Sequence, residues 1–442
     1  MGSSRGTAGD PPDAPVSVEM LNRAALTSFL GNFIEWFDYA SYSYLATVIA
    51  RVFFPSSNPE VALLETFGVF ALSFVLRPIG AVLWGTWGDK KGRKWALATS
   101  ILLMSGASFL IGCLPGEQQI GMAAPLGLLV LRMVQGFSAS GEYAGAAIFL
   151  AEYSPPDKRG LYVSLVPAST ATGLLAGSVL VTGLHTLLSQ PQLDSWGWRI
   201  PFLLAGPLGL VTHYIRNHLE DSPVYKEMLG RITRKTTDET PLKVLWRHHK
   251  RPLVLSFGVA SMNALGFYLV LTYLPTYLTA EVGTSERAAY LASTVTLVVY
   301  VLGIFAMGHF SDIWGRRRML AAACVGFMVV SVPAFMMLSR VGFLGIVLIE
   351  GLLCLLLTVN DGTMASYLTE TFPTAVRYTG FAVSMNMANA VFGGTASFIA
   401  TALIARTGNP LAPAWYVVVI AASALVAVLM SREHTGCDLR EI

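Results

Sequence analysis

Charge is scarce in this sequence. Only 13% of its 442 residues are Asp, Glu, Lys or Arg, about half the share of a soluble domain. Hydrophobic residues make up 54%, and the mean hydropathy is +0.57. A water-soluble fold this apolar has no way to cover its surface, whereas a protein in lipid meets hydrocarbon on its outer wall. The net charge of +3 is small and gives no argument for a nucleic-acid partner. Cysteine is rare too. Cys113, Cys324, Cys354 and Cys437 have no metal-like spacing, so neither a disulfide framework nor a zinc site is expected. There is no Walker-type phosphate loop, so ATP is not the energy source. There is no paired nucleophile and base and no metal cluster, so neither an enzyme nor a cofactor is expected. No obligate protein partner is implied. Residues 1–22 are polar, rich in Gly, Pro, Ser and Asp, and lack an apolar core. They are expected to be a cytosolic tail and not a cleaved signal peptide.

What the sequence does have is long apolar runs. A helix needs about 20 mostly apolar residues to cross roughly 30 Å of hydrocarbon. Twelve runs qualify, near 24–48, 62–84, 95–114, 123–150, 160–188, 198–215, 252–279, 287–308, 318–338, 342–367, 375–404 and 412–431. Orientation follows from Lys and Arg, which concentrate on the cytosolic side. With both termini inside, cytosolic segments hold 23 of the 30 basic residues and outer segments hold five. The expected fold is therefore an all-α membrane protein with twelve transmembrane helices and both termini cytosolic. The longest polar stretch, 216–251, falls between runs six and seven. It divides the chain into an N-terminal bundle (23–215) and a C-terminal bundle (252–431), with a tail at 432–442.

The two halves repeat each other. Gly85-Thr-Trp-Gly-Asp89-Lys-Lys-Gly92-Arg93-Lys94 lies between spans two and three. Gly308-His-Phe-Ser-Asp312-Ile-Trp-Gly315-Arg316-Arg317 lies between spans eight and nine. A second pair, Glu152-x-x-Pro155-x-x-x-Arg159 and Glu370-x-x-Pro373-x-x-x-Arg377, recurs at nearly the same offset, 218 residues against 223. Two motifs at one offset argue for duplication. Gly85 and Gly308 let helix ends approach closely, and Gly92 and Gly315 allow tight turns. Asp89 and Asp312 sit at cytosolic helix ends, where they can pair with Arg on a neighbouring helix as a latch that breaks when the bundles rock. Otherwise these residues are topogenic charges and turn formers. The candidate gating residues are Arg77, Asp89, Gly92, Arg93, Glu152, Arg159, Asp312, Gly315, Arg316, Glu370 and Arg377.

These motifs resemble the signature of the major facilitator superfamily. More narrowly, four runs resemble its metabolite:proton symporter family: Gly31-Asn-Phe-Ile-Glu35-Trp-Phe-Asp38-Tyr39, Leu76-Arg77-Pro78-Ile-Gly80, Gln135-Gly136-Phe-Ser-Ala-Ser-Gly141-Glu142-Tyr143 and Trp196-Gly197-Trp198-Arg199-Ile-Pro201-Phe202. The resemblance covers about residues 24–431. It implies uptake of a small metabolite with protons by alternating access across a bacterial inner membrane. The runs at 141–155 and 271–278 look most like the family's proline/betaine branch, and Ala388-Asn-Ala-Val-Phe-Gly-Gly394 looks more like its α-ketoglutarate branch. The proline/betaine branch includes an osmosensing member with a long coiled-coil tail, which the dozen or so residues after span twelve do not match.

An ionisable side chain at mid-bilayer costs about 2.5–3.5 kcal/mol on insertion scales, so each implies a function or a partner. Span one carries Glu35 and Asp38. A separation of three residues sets them about 60° apart on the helix, so both can face a central cavity. Two carboxylates this close repel, which suits a proton-coupling site; the alternative is a structural pair with a cation on another helix. Span four carries Arg132 and Glu142. Arg132 sits in a run resembling the superfamily's second motif, which associates it with proton transfer or carboxylate binding. It is expected to hold a substrate carboxylate or to balance the span-one acids. The 218-residue offset matches Arg132 with Glu350 in span ten and Glu142 with Asn360, beside Asp361. Arg77, followed by Pro78, serves either helix–loop structure or substrate binding.

Away from their ends, the spans thus hold five acids (Glu35, Asp38, Glu142, Glu350, Asp361) and two guanidinium groups (Arg77, Arg132). A dianion site should show more cations, whereas an acid surplus suits a proton plus a zwitterion such as proline or betaine. Trp36, Tyr39, Tyr42, Phe267, Tyr268 and Tyr273 offer cation–π faces or are packing residues. Asn263 in span seven can bond substrate or act as polar glue. The expected proton-coupling residues are Glu35, Asp38 and Glu142. The expected substrate residues are Arg132, Trp36, Tyr39, Tyr42, Asn263, Tyr268, Glu350, Asn360 and Asp361. The competing substrate is a di- or tricarboxylate. Proton-driven efflux is a further alternative, but span five lacks the G-P-x-x-G-G run common in such exporters.

Overall fold

The computed structural model describes residues 18–54, 59–219, 221–232 and 239–440. Most of the expected N-terminal tail (1–17) and the linker stretch 233–238 lie outside them. No strand occurs among the described residues, as expected of backbone in lipid, where each N–H and C=O must find its partner within the helix.

Helices occupy all twelve expected positions. Among the described residues, nine rods are long and apolar enough to cross a membrane: Arg93–Cys113, Ala123–Tyr153, Pro156–Leu187, Lys250–Ala280, Ala288–Trp314, Arg316–Leu338, Phe343–Thr371, Arg377–Thr407 and Ala412–Met430. The other three positions are occupied by more polar or broken helices. Span one (Val18–Tyr44) carries Asn32, Glu35 and Asp38 in its middle. Span two is broken at Leu76 into Pro59–Val75 and Arg77–Lys91. Span six (Arg199–Asn217) begins and nearly ends on Arg. The break in span two has a local cause. Pro78 has no N–H to donate and its ring crowds the preceding turn, so the helix restarts at Arg77.

Several helices run past the expected limits on the cytosolic side, to Tyr153, Trp314 and Thr371. The first helix begins at Val18, inside the stretch expected to be a tail. The expected linker is partly helical, with Pro223–Ile232 and Pro241–His248. Outer walls are greasy: Leu302, Val329, Leu348 and Phe398 are exposed. One core cluster joins the halves at their cytosolic ends, combining Trp84, Leu150 and Val163 with Leu320, Tyr378 and Phe381. A second, around Tyr42, Ile111 and Phe202, belongs to the first half alone.

Candidate functional site

A cavity lies between the halves. Its first-half wall presents Glu35, Trp36, Arg77 and Tyr143, and its second-half wall presents Asn263, Phe267, Tyr268, Tyr300 and Asp361. The break at Leu76 puts Arg77 at the start of a new helix. Its Nη2 donates to Glu35 Oε1 at 3.1 Å and to the Tyr39 hydroxyl at 2.7 Å, and its guanidinium lies 4.5 Å from the Phe74 ring centroid. Across the cavity, Asp361 accepts from Asn263 Nδ2 and from the Tyr300 hydroxyl. Asn263 also donates to Asn360 Oδ1 at 3.0 Å. Trp36 and Phe267 pack 5.3 Å apart and join the two walls.

Arg132 does not line this cavity. It is fully buried behind it, with Nη1 donating to Asp38 Oδ2 at 2.6 Å and its guanidinium 3.7 Å from the Tyr42 ring centroid. Gln135 Nε2 donates to the other Asp38 oxygen at 3.1 Å and to Ser108 Oγ at 2.6 Å. Asp38 is therefore turned away from Glu35's cavity face, and the two acids answer to different cations. Glu142 is also buried outside the cavity lining, bonded by Arg216 Nη2 at 2.5 Å and by Ser100 Oγ at 2.8 Å. Glu350 also lies outside the cavity lining. One of its oxygens accepts from Ser293 at 3.0 Å, and the other has no protein hydrogen bond.

The charge tally changes with these placements. Arg216 belongs to the last turn of span six and is buried, although its sequence position assigns it to the linker. Each intramembrane acid of the first half thus has its own Arg. The surplus sits wholly in the second half, on Glu350 and Asp361. Tyr300 was missed as a site residue. The repeat offset of 223 carries Arg77 onto Tyr300, so the duplication already held the signal.

The cytosolic ends of the halves meet in two related sets of contacts. Asp89 accepts from the backbone N–H of Tyr378 (3.1 Å) and Thr379 (2.9 Å), in the first turn of span eleven. Asp312 accepts from the N–H of Gly160 (2.7 Å) and Leu161 (2.9 Å), at the start of span five. Each Asp therefore caps a helix of the opposite half, where orphan donors and the helix dipole favour a negative charge. The expected Asp–Arg pairing stays within each half, at 2.9 Å for Arg93–Asp89 and 2.7 Å for Arg316–Asp312. The ion pairs that cross between halves come from the second motif: Arg377–Glu152 at 2.7 Å and Arg159–Glu370 at 2.8 Å. Gly92 and Gly315 have φ of 109° and 95°, the left-handed region that only glycine enters freely. A Cβ on Gly85 would stand 2.6 Å from Thr379 Cα, and one on Gly308 would stand 2.6 Å from Ser164 Cβ.

The C-terminal tail joins these contacts. The Cys437 carbonyl accepts from both terminal nitrogens of Arg159 at 3.2 Å, and the Leu439 carbonyl accepts from Arg377 Nη2 at 2.9 Å. The arginines that cross between halves are thus each tied to the tail as well. On the loop beyond span six, burial raises the Asp221 carboxyl above the ordinary carboxylate range, against the N–H groups of Ser222 and Lys94 that lower it.

Two helical halves enclose a shared cavity and meet in matched contacts at one end, an architecture that suits a membrane transporter. Residues 24–240 and 225–442 each match the protein family described as sugar (and other) transporter. The chain is 34% identical to the glycine betaine/proline/ectoine/pipecolic acid transporter OusA of Dickeya dadantii (strain 3937), over 95% of this chain and 85% of that protein. It is also 34% identical to the proline/betaine transporter of Escherichia coli (strain K12), with the same coverage. Its fold matches that of the proton:xylose symporter XylE bound to 6-bromo-6-deoxy-D-glucose, with a TM-score of 0.77 at 17% identity over 96% of this chain and 98% of that one. The chain belongs to the sugar (and other) transporter family of the major facilitator superfamily and is a multi-pass membrane protein, not an enzyme.

Proposed function

We propose that this transporter imports a small zwitterion together with protons, by alternating access between its two six-helix bundles, 23–215 and 252–431. The observation that carries this reading is the pair of opposed charges across the cavity: Arg77 on one wall and Asp361 on the other. A substrate carboxylate suits Arg77. A substrate cation suits Asp361, which has hydrogen-bond donors but no guanidinium beside it. Trp36, Tyr143, Phe267 and Tyr268 offer aromatic surface for an alkylated nitrogen, an attraction worth about 2 kcal/mol when desolvated. Proline, glycine betaine, ectoine and pipecolic acid, which appear in the names of the relatives, all have this charge pattern. A dicarboxylate fits less well, because Arg77 would face two anionic groups while Asp361 repelled them.

The gate residues of both motifs act in closing the cytosolic side. Asp38–Arg132 and Glu142–Arg216 hold spans one, four and six together behind the cavity. Accumulation of labelled proline, glycine betaine, α-ketoglutarate and citrate in proteoliposomes, with and without an imposed pH gradient, tests the reading. Gradient-driven accumulation of the zwitterions alone is the expected result. Accumulation of the carboxylates alone would replace the substrate assignment, and indifference to the gradient would remove proton coupling.

A further inference from the structure

We infer that coupling occurs by partner exchange on Arg77: the proton goes to Glu35, and the substrate carboxylate takes the place Glu35 leaves. The inference rests on the zwitterion reading and adds the residue that links the two fluxes. Of the three buried ion pairs made by the mid-span acids of the first half, only Glu35–Arg77 faces the cavity. It is also the loosest of them, at 3.1 Å against 2.6 Å for Asp38–Arg132 and 2.5 Å for Glu142–Arg216. The pair is incompletely bonded. Glu35 Oε2 and Arg77 Nε are both buried and have no protein hydrogen bond. One is an acceptor ready for a proton, and the other is a donor ready for a second carboxylate.

The surroundings of Glu35 select it for this role. On its own helix lie Asp38, held by Arg132 and Gln135, and Tyr39, bonded to Arg77. From span four come Glu142, held by Arg216, and Tyr143. From the other half come Tyr268, Tyr300 and Asp361. Arg132 and Arg216 are engaged elsewhere, so Arg77 is the cation that faces Glu35. Two carboxylates on one guanidinium leave a net negative charge in a low-dielectric cavity, and protonating one of them removes it.

The step balances simply. A proton from outside water forms an O–H bond at Glu35 Oε2, and the carboxylate becomes neutral. Its ion pair with Arg77 dissolves, with no covalent bond broken, and Arg77 binds the incoming carboxylate through Nε and Nη2. When the substrate leaves toward the cytosol, Arg77 draws Glu35 back to its ionised form and the proton departs. Proton and substrate thereby raise each other's affinity, as linkage requires.

The test is binding of proline and of glycine betaine to the full-length protein in nanodiscs, in weak buffer with a pH indicator. Wild type is expected to take up about one proton per substrate bound, with affinity rising about tenfold per pH unit lowered over the range where Glu35 is ionised. Glu35→Gln is expected to bind with no proton uptake and no pH dependence. In vesicles it should exchange labelled for unlabelled substrate but fail to accumulate it on a pH gradient. Proton uptake by Glu35→Gln, or its gradient-driven accumulation at the wild-type level, would overturn the inference. If Glu35→Gln does not fold, Glu35→Asp serves instead: its pH midpoint of binding should move, and an unmoved midpoint would equally overturn it. Failure of wild type to bind either zwitterion counts against the substrate reading, which is a separate outcome.

Discussion

At the residue scale, the three arginines paired with the mid-span acids of the first half differ in what they can reach. Arg132 is fully enclosed and bonded to Asp38, and Arg216 is enclosed and bonded to Glu142. Neither can contact a substrate unless the bundle comes apart. Removing one partner of such a pair leaves a bare charge in a dry interior, at a cost of about 3–5 kcal/mol. Arg132→Ala and Asp38→Asn are therefore expected to abolish uptake in proteoliposomes and to lower the melting temperature in detergent. The double variant Asp38→Asn with Arg132→Gln should melt higher than either single one, because no unpaired charge remains. On the opposite wall, Asp361→Asn is expected to weaken zwitterion binding at least about tenfold, the loss of one charged contact of about 1.4 kcal/mol or more. Glu at that position should restore part of it, and equilibrium binding to purified protein measures both.

At the element scale, the break in span two and the two capped helices carry the argument. Pro78 makes Arg77 a helix-initiating residue at cavity depth. The caps explain why the Gly–Asp–Gly–Arg motif needs its spacing. Gly85 and Gly88 let the ends of spans two and eleven touch, Asp89 then meets the first-turn N–H groups, and Gly92 turns the chain so that Arg93 returns to Asp89. A Cβ on Gly88 would stand only 1.8 Å from the Tyr378 ring. Gly88→Val is accordingly expected to hold the cytosolic ends apart. A cysteine at Thr374 should then react with a thiol reagent applied from the cytosolic side several-fold faster than in the parent, while a rate equal to the parent's would show that the contact does not set closure. Asp89→Asn and Asp312→Asn should act in the same direction, each removing a helix-terminus charge together with a buried partner of Arg93 or Arg316.

At the scale of the whole molecule, the tail and the crossed pairs meet in one cluster of contacts. Arg159 binds Glu370 and the Cys437 carbonyl, and Arg377 binds Glu152 and the Leu439 carbonyl. Leu439 itself is buried in the cluster that joins the halves. Deleting residues 432–442 therefore removes backbone acceptors from both crossing arginines and an apolar plug from the gate. The truncated protein should favour the cytosol-open state, read as faster labelling of the same Thr374 cysteine and a weaker apparent affinity for substrate presented from outside. Unchanged labelling would mean that the crossed ion pairs alone set closure.

The sequence by itself determined the spans, their orientation and the duplication. These depend on local composition, on where Lys and Arg fall, and on motifs that repeat at one offset, none of which needs tertiary packing to be seen. It also held the acid surplus and the glycines of the turns. Only the tertiary structure decided which charge meets which. A helical face is legible within one span, but the depth at which Arg216 reaches Glu142, or the side on which Arg132 closes over Asp38, depends on how helices distant in sequence pack. Arg77 entered the cavity for the same reason: Pro78 announced a break, and only packing against span one set the new helix end beside Glu35. The surplus of acids, a bare count along the chain, resolved in three dimensions into three ion pairs in one half and two carboxylates without an arginine, Glu350 and Asp361, in the other.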